Sequence, residues 1–166
     1  MRLLQHITES FNRPYDYTVT HNDKKRYFCE FKSENGTDYS FMSIKKLVTS
    51  NNYEQLANVM FRTIKKDIGS IQYYQMTFHK GKGEQDKENK YRIFATILEI
   101  IKASIKIHKQ MFIVFSAREN SRQKLYDRMI KVLSSKFGYK QAGTYNDNKG
   151  KNYVLWNGKY NDWMDN

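Results

Sequence analysis

The chain has 166 residues with one Pro, one Cys and a formal net charge of +12, and a lone cysteine excludes an intrachain disulfide. No apolar run approaches the roughly 20 residues that cross a bilayer, and the opening "MRLLQHITESFNR" reaches Thr and Glu too early for a secretory leader, so a soluble, cytoplasmic setting without membrane is expected. The 39% apolar and 15% aromatic content supplies a core despite a mean hydropathy of -0.84, and a single domain over 1–166 is expected.

Residues 15–47 read as a β-meander of "YDYTVTH", "RYFCEFK" and "YSFMSIKKL", rich in aromatic and β-branched residues. Asn35-Gly36 marks a hairpin, because both residue types tolerate positive φ. Leu56, Val59, Met60 and Ile64 then recur at helical spacing, and Gly69 stands where that helix would stop. "SIQYYQMTFHK" (70–80) reads as a strand, and "GKGEQDKENK" as an exposed, mobile loop. From Tyr91 to Ile107, Ile93, Phe94, Ile97, Leu98, Ile101 and Ile105 share one face, opposite Arg92, Glu99, Lys102 and Lys106. "MFIVFSA" (111–117) is a continuous apolar run, the pattern of a central strand covered on both sides.

Ser121 can cap the next helix, which buries Leu125, Met129, Val132 and Leu133 and ends at Gly138 in the left-handed position. "KNYVLWNGKY" closes the chain as a strand paired back across "YNDNKGKN".

This order of elements resembles the GNAT superfamily of N-acetyltransferases over residues 70–156. The run "FATILEIIK … IVFSA … SRQKLYDRMIK … GY" is also similar to bacteriophage proteins of unassigned function. The resemblance implies an α+β fold, an α/β sandwich whose mixed, mostly antiparallel central sheet is flanked by helices. It implies acetyl transfer from acetyl coenzyme A to an amine, on a host macromolecule if the protein is phage-encoded. By the same resemblance Lys80, Gly81, Lys82 and Gly83 would cradle the pyrophosphate. Ala117, Arg118, Glu119, Asn120 and Arg122 would hold the cofactor after the central strand. Tyr126 of the Leu125-Tyr126 pair would return a proton to the departing thiolate, which a phenol of pKa about 10 can do. The chain departs from the family pattern in four places, the first being that "EQDKEN" separates Gly83 from the long helix and brings carboxylates where phosphates need donors. Phe78 and His79 stand near the place of a Gln or Arg, Asn120 comes one position late, and Gly138-Tyr139 lie 12 and 13 residues after Tyr126. The glycines then serve equally as a flexible loop, and Tyr126 as a core tyrosine. Glu30 and Glu54 are both possible bases.

Two other readings rest on residue types alone. Asp16, Glu30 and Lys32 are the side chains of a metal-dependent nuclease, although alternating charge on a hairpin gives the same pattern. No metal is expected, since His6, His21, His79 and His108 show no ligand spacing. Residues 1–50 and 51–100 each carry 8 basic and 6 acidic side chains, whereas 101–166 carry 13 and 5, a surplus of 8. There Lys124, Arg128, Lys131, Lys136 and Lys140, with Lys149 and Lys151, could form a stripe for nucleic acid or an acidic host protein, including a defence or regulatory factor. On that reading the protein is a catalytically silent binder on an acetyltransferase-like frame.

Overall fold

The computed structural model describes residues 13–49, 54–65, 70–81, 90–117, 120–148 and 150–160, with the backbone alone at 54, 117 and 120–123. Strands β1 (Thr18–Asn22), β2 (Arg26–Lys32), β3 (Asp38–Thr49), β4 (Ser70–Lys80), β5 (Phe112–Ala117), β6 (Lys140–Asp147) and β7 (Gly150–Trp156) form one sheet in the order β1-β2-β3-β4-β5-β7-β6. Helix α1 (Glu54–Ile64) follows β3, α2 (Lys90–His108) connects β4 to β5, and α3 (Asn120–Phe137) connects β5 to β6. The expected α+β class with a mixed, mostly antiparallel sheet is the one observed. The β1–β2, β5–β7 and β6–β7 pairs are antiparallel and β4–β5 is parallel. Parallel neighbours cannot be joined by a tight turn, which is why a long crossover carrying α2 separates them. The chain divides into two compact units, 1–43 with 78–108 and 44–77 with 109–166, so the division passes along β3 and β4.

In the first unit the apolar face of the meander is an aromatic row. Tyr15, Phe31, Tyr39 and Phe78 follow one another with ring centroids 6.0, 5.2 and 5.7 Å apart and planes within 18° of parallel. Period-2 alternation puts Phe31 of β2, Tyr39 of β3 and Phe78 of β4 on the same side, with Tyr15 joining from the segment before β1, and such neighbours stabilise a sheet beyond the area they bury. Helix α2 is held at both ends. The Arg92 guanidinium lies 3.9 Å from the centre of the Tyr15 ring, donates to the Arg13 carbonyl at 3.0 Å and pairs with Glu34. Thr96 accepts from the Tyr15 amide at 2.8 Å. At the other end His108 Nε2 is 2.8 Å from the Asp23 carbonyl oxygen, and Tyr27 packs edge-on against its ring. Asp23 organises that turn, accepting from the amides of Lys25 and Arg26, both at 2.8 Å. His21 beside it and those donors hold its carboxyl far below the usual range.

The Asn35-Gly36 hairpin forms with only Gly36 at positive φ (+77°). Its amide closes the turn on the Ser33 carbonyl, so Glu34 and Asn35 take the central positions and the glycine follows as the left-handed residue. Arg92, placed by its spacing on the solvent face of α2, is instead partly buried, because its guanidinium reaches back along the helix to the Tyr15 ring.

In the second unit the sheet is covered on both sides. One face of β5 and β7 presents Phe112, Val114 and Val154 to Leu56, Ala57, Val59 and Met60 of α1. The other presents Phe115 and Tyr153 to Tyr126 of α3. Helix α1 ends at Ile64, with Lys65 left-handed at φ 57°, five residues before the expected stop at Gly69, because the apolar stripe ends there. Helix α3 ends as expected, with Gly138 at φ +75° and the Tyr139 amide donating to the Leu133 carbonyl at 3.2 Å. Asn157 caps the Phe137 carbonyl at 2.9 Å. Residues 82–89 of the "GKGEQDKENK" loop, the Ser121 side chain and Gly69 lie outside the described residues, while Lys90 already opens α2.

Arg92→Ala removes the ring contact and the bond to Arg13 together; a loss of about 1–2 kcal/mol is expected by chemical denaturation. Cys29 is fully buried, and that burial lifts its thiol from the ordinary 9.0 to about 11. Because the folded chain holds this proton more firmly than the unfolded one, the associated stability is complete below pH 9. It is lost as pH rises through about 11. The denaturation midpoint should therefore fall between about pH 9 and 11. A Cys29→Ala variant should lose less over that interval, although Tyr27 and Tyr139, also raised by burial, sustain part of the decline.

Candidate functional site

The first unit carries a cavity of about 540 Å³ on the polar side of the meander, with Phe31 and Tyr39 of the aromatic row also among its lining residues. Strand alternation sends Glu30 and Lys32 of β2 to this side, with Asp38 of β3, His79 of β4 and Asp16 and Thr18 from the start of the meander. Three carboxylates therefore face one lysine in a chain of net charge +12. Lys32 Nζ is 3.7 Å from Asp38, an exposed pair of small energetic weight.

Gly81, the first glycine of the predicted phosphate cradle, also lines this cavity. Its amide donates to the Asp38 carbonyl at 2.7 Å, extending the strand ladder. A Cβ at this position would sit 3.1 Å from Asp38 Cβ and 3.2 Å from its carbonyl oxygen, so the glycine is needed for close backbone approach. The Gly81 amide is thus engaged within the protein. Lys80 beside it is partly buried, and Lys82 and Gly83 lie outside the described residues.

The structure brings Asp16, Glu30 and Lys32, the trio of the nuclease reading, to one cavity. Among the described residues no three His, Cys, Asp or Glu side chains are grouped to hold a metal ion. Sequence reasoning missed Asp38 and His79 as companions of this trio. The signal was their period-2 phase along β3 and β4, which became usable only once strand order was known.

In the second unit α3 begins three residues after β5 ends at Ala117. The first amides of an 18-residue helix have no intrahelical partners, and Asn120 and Arg122 fall in that first turn. Arg118 and Glu119 are outside the described residues. Tyr126 is only 1% exposed and sits between Phe115 and Tyr153, with ring centroids 5.5 and 6.4 Å away. Burial raises the Tyr153 hydroxyl, the Asp127 carboxylate adds to this, and the Lys151 ammonium opposes it. Lys151 also lies 4.9 Å from the centre of the Tyr153 ring.

On the other side of β5 a polar line crosses three strands. Gln75 Nε2 donates to Ser116 Oγ at 2.8 Å, and Ser116 Oγ donates to Asn152 Oδ1 at 2.5 Å. Asn152 Nδ2 in turn donates to the Gly150 carbonyl at 3.3 Å. Of the basic stripe, Lys124, Arg128, Lys131, Lys136 and Lys140 are exposed, Lys151 is partly buried, and Lys149 lies outside the described residues.

No family model matches the chain, and no curated protein matches it. Among solved structures it is similar to FeeM, an N-acyl amino acid synthase from uncultured soil microbes. The identity there is 10% and the TM-score 0.41, over 93% of this chain and 85% of that one. It is also similar to Arabidopsis thaliana NAA60 in complex with acetyl-CoA. That identity is 15% and the TM-score 0.39, over 93% of this chain and 89% of the other.

Asn152 is 2% exposed and accepts the Ser116 proton, so Asn152→Ala leaves a partly buried hydroxyl donor to find another partner. A loss of about 1–3 kcal/mol is expected in urea denaturation. Asn152→Asp should cost more as pH rises, since the carboxylate would face the Gly150 carbonyl without a donor.

Proposed function

We propose that the chain is a GNAT-like protein of phage type that transfers an acetyl group from acetyl coenzyme A to an amine on a macromolecule. The observation that carries this reading is the connection around β4 and β5. They are parallel neighbours joined through α2, and α3 opens directly after β5 with Tyr126 in its second turn. Ligands of α/β sheets gather at the carboxyl ends of parallel strands, and here one such end leads straight into a helix N-terminus.

Acetyl coenzyme A would supply the acetyl group as a thioester. The residues fit it unequally. The opening amides of α3, with Asn120 and Arg122, can hold phosphate, and Ala117 marks the strand end beside them, whereas the Gly81 amide is already bonded to Asp38. Tyr126 is the residue to hold a proton, at its Oη, for the leaving sulfur.

A second reading is favoured by the burial of Tyr126, whose ring is packed as a core tyrosine. On that reading the frame serves binding alone.

Calorimetric titration with acetyl coenzyme A, together with thiol release in the presence of an amine, tests the first reading. Saturable binding is expected. Tyr126→Phe should keep that affinity while turnover falls by about 10²-fold or more. Absence of binding at millimolar ligand, or a Phe variant as fast as the parent, ends the assignment of acid catalysis to Tyr126.

A further inference from the structure

Helix α3 has one face that the packing of the second unit leaves to solvent, and that face is cationic. Lys124, Arg128 and Lys131 follow at intervals of four and three residues, which places them on one side of the helix over about 10 Å of its axis. Lys136 lies beyond them on the same helix, and Lys140 opens β6, an edge strand of the sheet. All five are exposed, and none takes part in an ion pair among the described residues. Asp127, the acidic residue within this stretch, lies close enough to the Tyr153 hydroxyl to raise it. Asp127 is itself exposed, and among the described residues it makes no ion pair with these cations.

We infer that this face of α3, continued by Lys136 and Lys140, docks on the phosphate backbone of duplex DNA. Duplex DNA carries a phosphate about every 3.4 Å along each strand, so three cations over about 10 Å match a short run of neighbouring phosphates. The exposed hydroxyl of Ser134 and the exposed Gln141 amide add uncharged donors of the kind that accompany lysine and arginine at phosphates. Two competing occupants fit less well. A protein partner needs an apolar or aromatic anchor at the centre of its footprint, and single strands need aromatic rings on which bases stack. The large hydrophobic side chains exposed among the described residues are Val19, Met42, Leu47, Tyr91 and Ile107, none of them on α3 or β6. Binding through charge alone is independent of base sequence and steeply dependent on salt. The inference does not rest on acetyl transfer, and it stands or falls on a different measurement.

That measurement is fluorescence anisotropy of a labelled duplex of about 20 base pairs, titrated with the full chain between about 50 and 200 mM salt. The logarithm of affinity should fall linearly with the logarithm of salt, with a slope of about -3 to -5 for three to five phosphate contacts. Lys124→Gln/Arg128→Gln/Lys131→Gln should weaken binding at least about tenfold and flatten the slope by about 3. These side chains are exposed, and unchanged circular dichroism establishes that the variant is folded. Lys136→Gln/Lys140→Gln should flatten the slope by about 2. A charge-matched control, Lys24→Gln/Lys25→Gln/Lys106→Gln, draws on exposed lysines of the first unit and should leave the slope unchanged. Any of four results overturns the inference: no duplex binding at about 50 mM salt; a triple variant that binds like the parent; a control that loses as much as the triple variant; or tighter binding of a single strand or of polyglutamate.

Discussion

Strand β5 imposes the condition on which the second unit depends. Phe112, Ile113, Val114 and Phe115 are each at most 1% exposed, and a strand without a polar side must have a covering layer on both faces. Helix α1 supplies one layer through Leu56, Val59 and Met60, and α3 supplies the other through Tyr126 and its neighbours. β4 pairs in parallel beside β5, which forces the long connection through α2, and β7 pairs antiparallel on its other side. The polar line from Gln75 through Ser116 to Asn152 marks where this dry strand reaches its end, each polar group finding its partner across the sheet.

The first unit solves a related problem with aromatic rings. Four near-parallel rings make one face of the meander, and Arg92 stacks on the ring at the Tyr15 end. Since α2 is tied to the Glu34 turn at one end and to the Asp23 turn at the other, the opposite face of the meander is free to carry polar side chains. That face holds the cavity with Asp16, Glu30 and Asp38, while the basic surface belongs to α3 and β6 in the other unit. A protein of net charge +12 thus keeps its acidic hollow and its cationic face on separate units.

Much of the fold was legible because its signals are local. The alternation in "RYFCEFK", the stripe of Ile93, Ile97 and Ile101, the unbroken run "MFIVF" and the stop at Gly138 each depend on neighbours a few residues apart. The candidate site was legible only in part. Glu30 and Lys32 could be put on one side of a strand, but Asp38 and His79 join them from strands whose order no local pattern encodes. Arg92 reads as a solvent residue from its spacing, and its long side chain takes it to a ring far away in the chain.

By itself, then, the sequence determined the class of each element, the faces that turn inward and the concentration of positive charge in the last third, because periodicity and composition are properties of adjacent residues. Only the tertiary structure decided that Tyr126 is a buried ring and that the Gly81 amide is bonded to Asp38. Each of these follows from strand order and register, which bring together groups distant in the chain and set which of them water can reach.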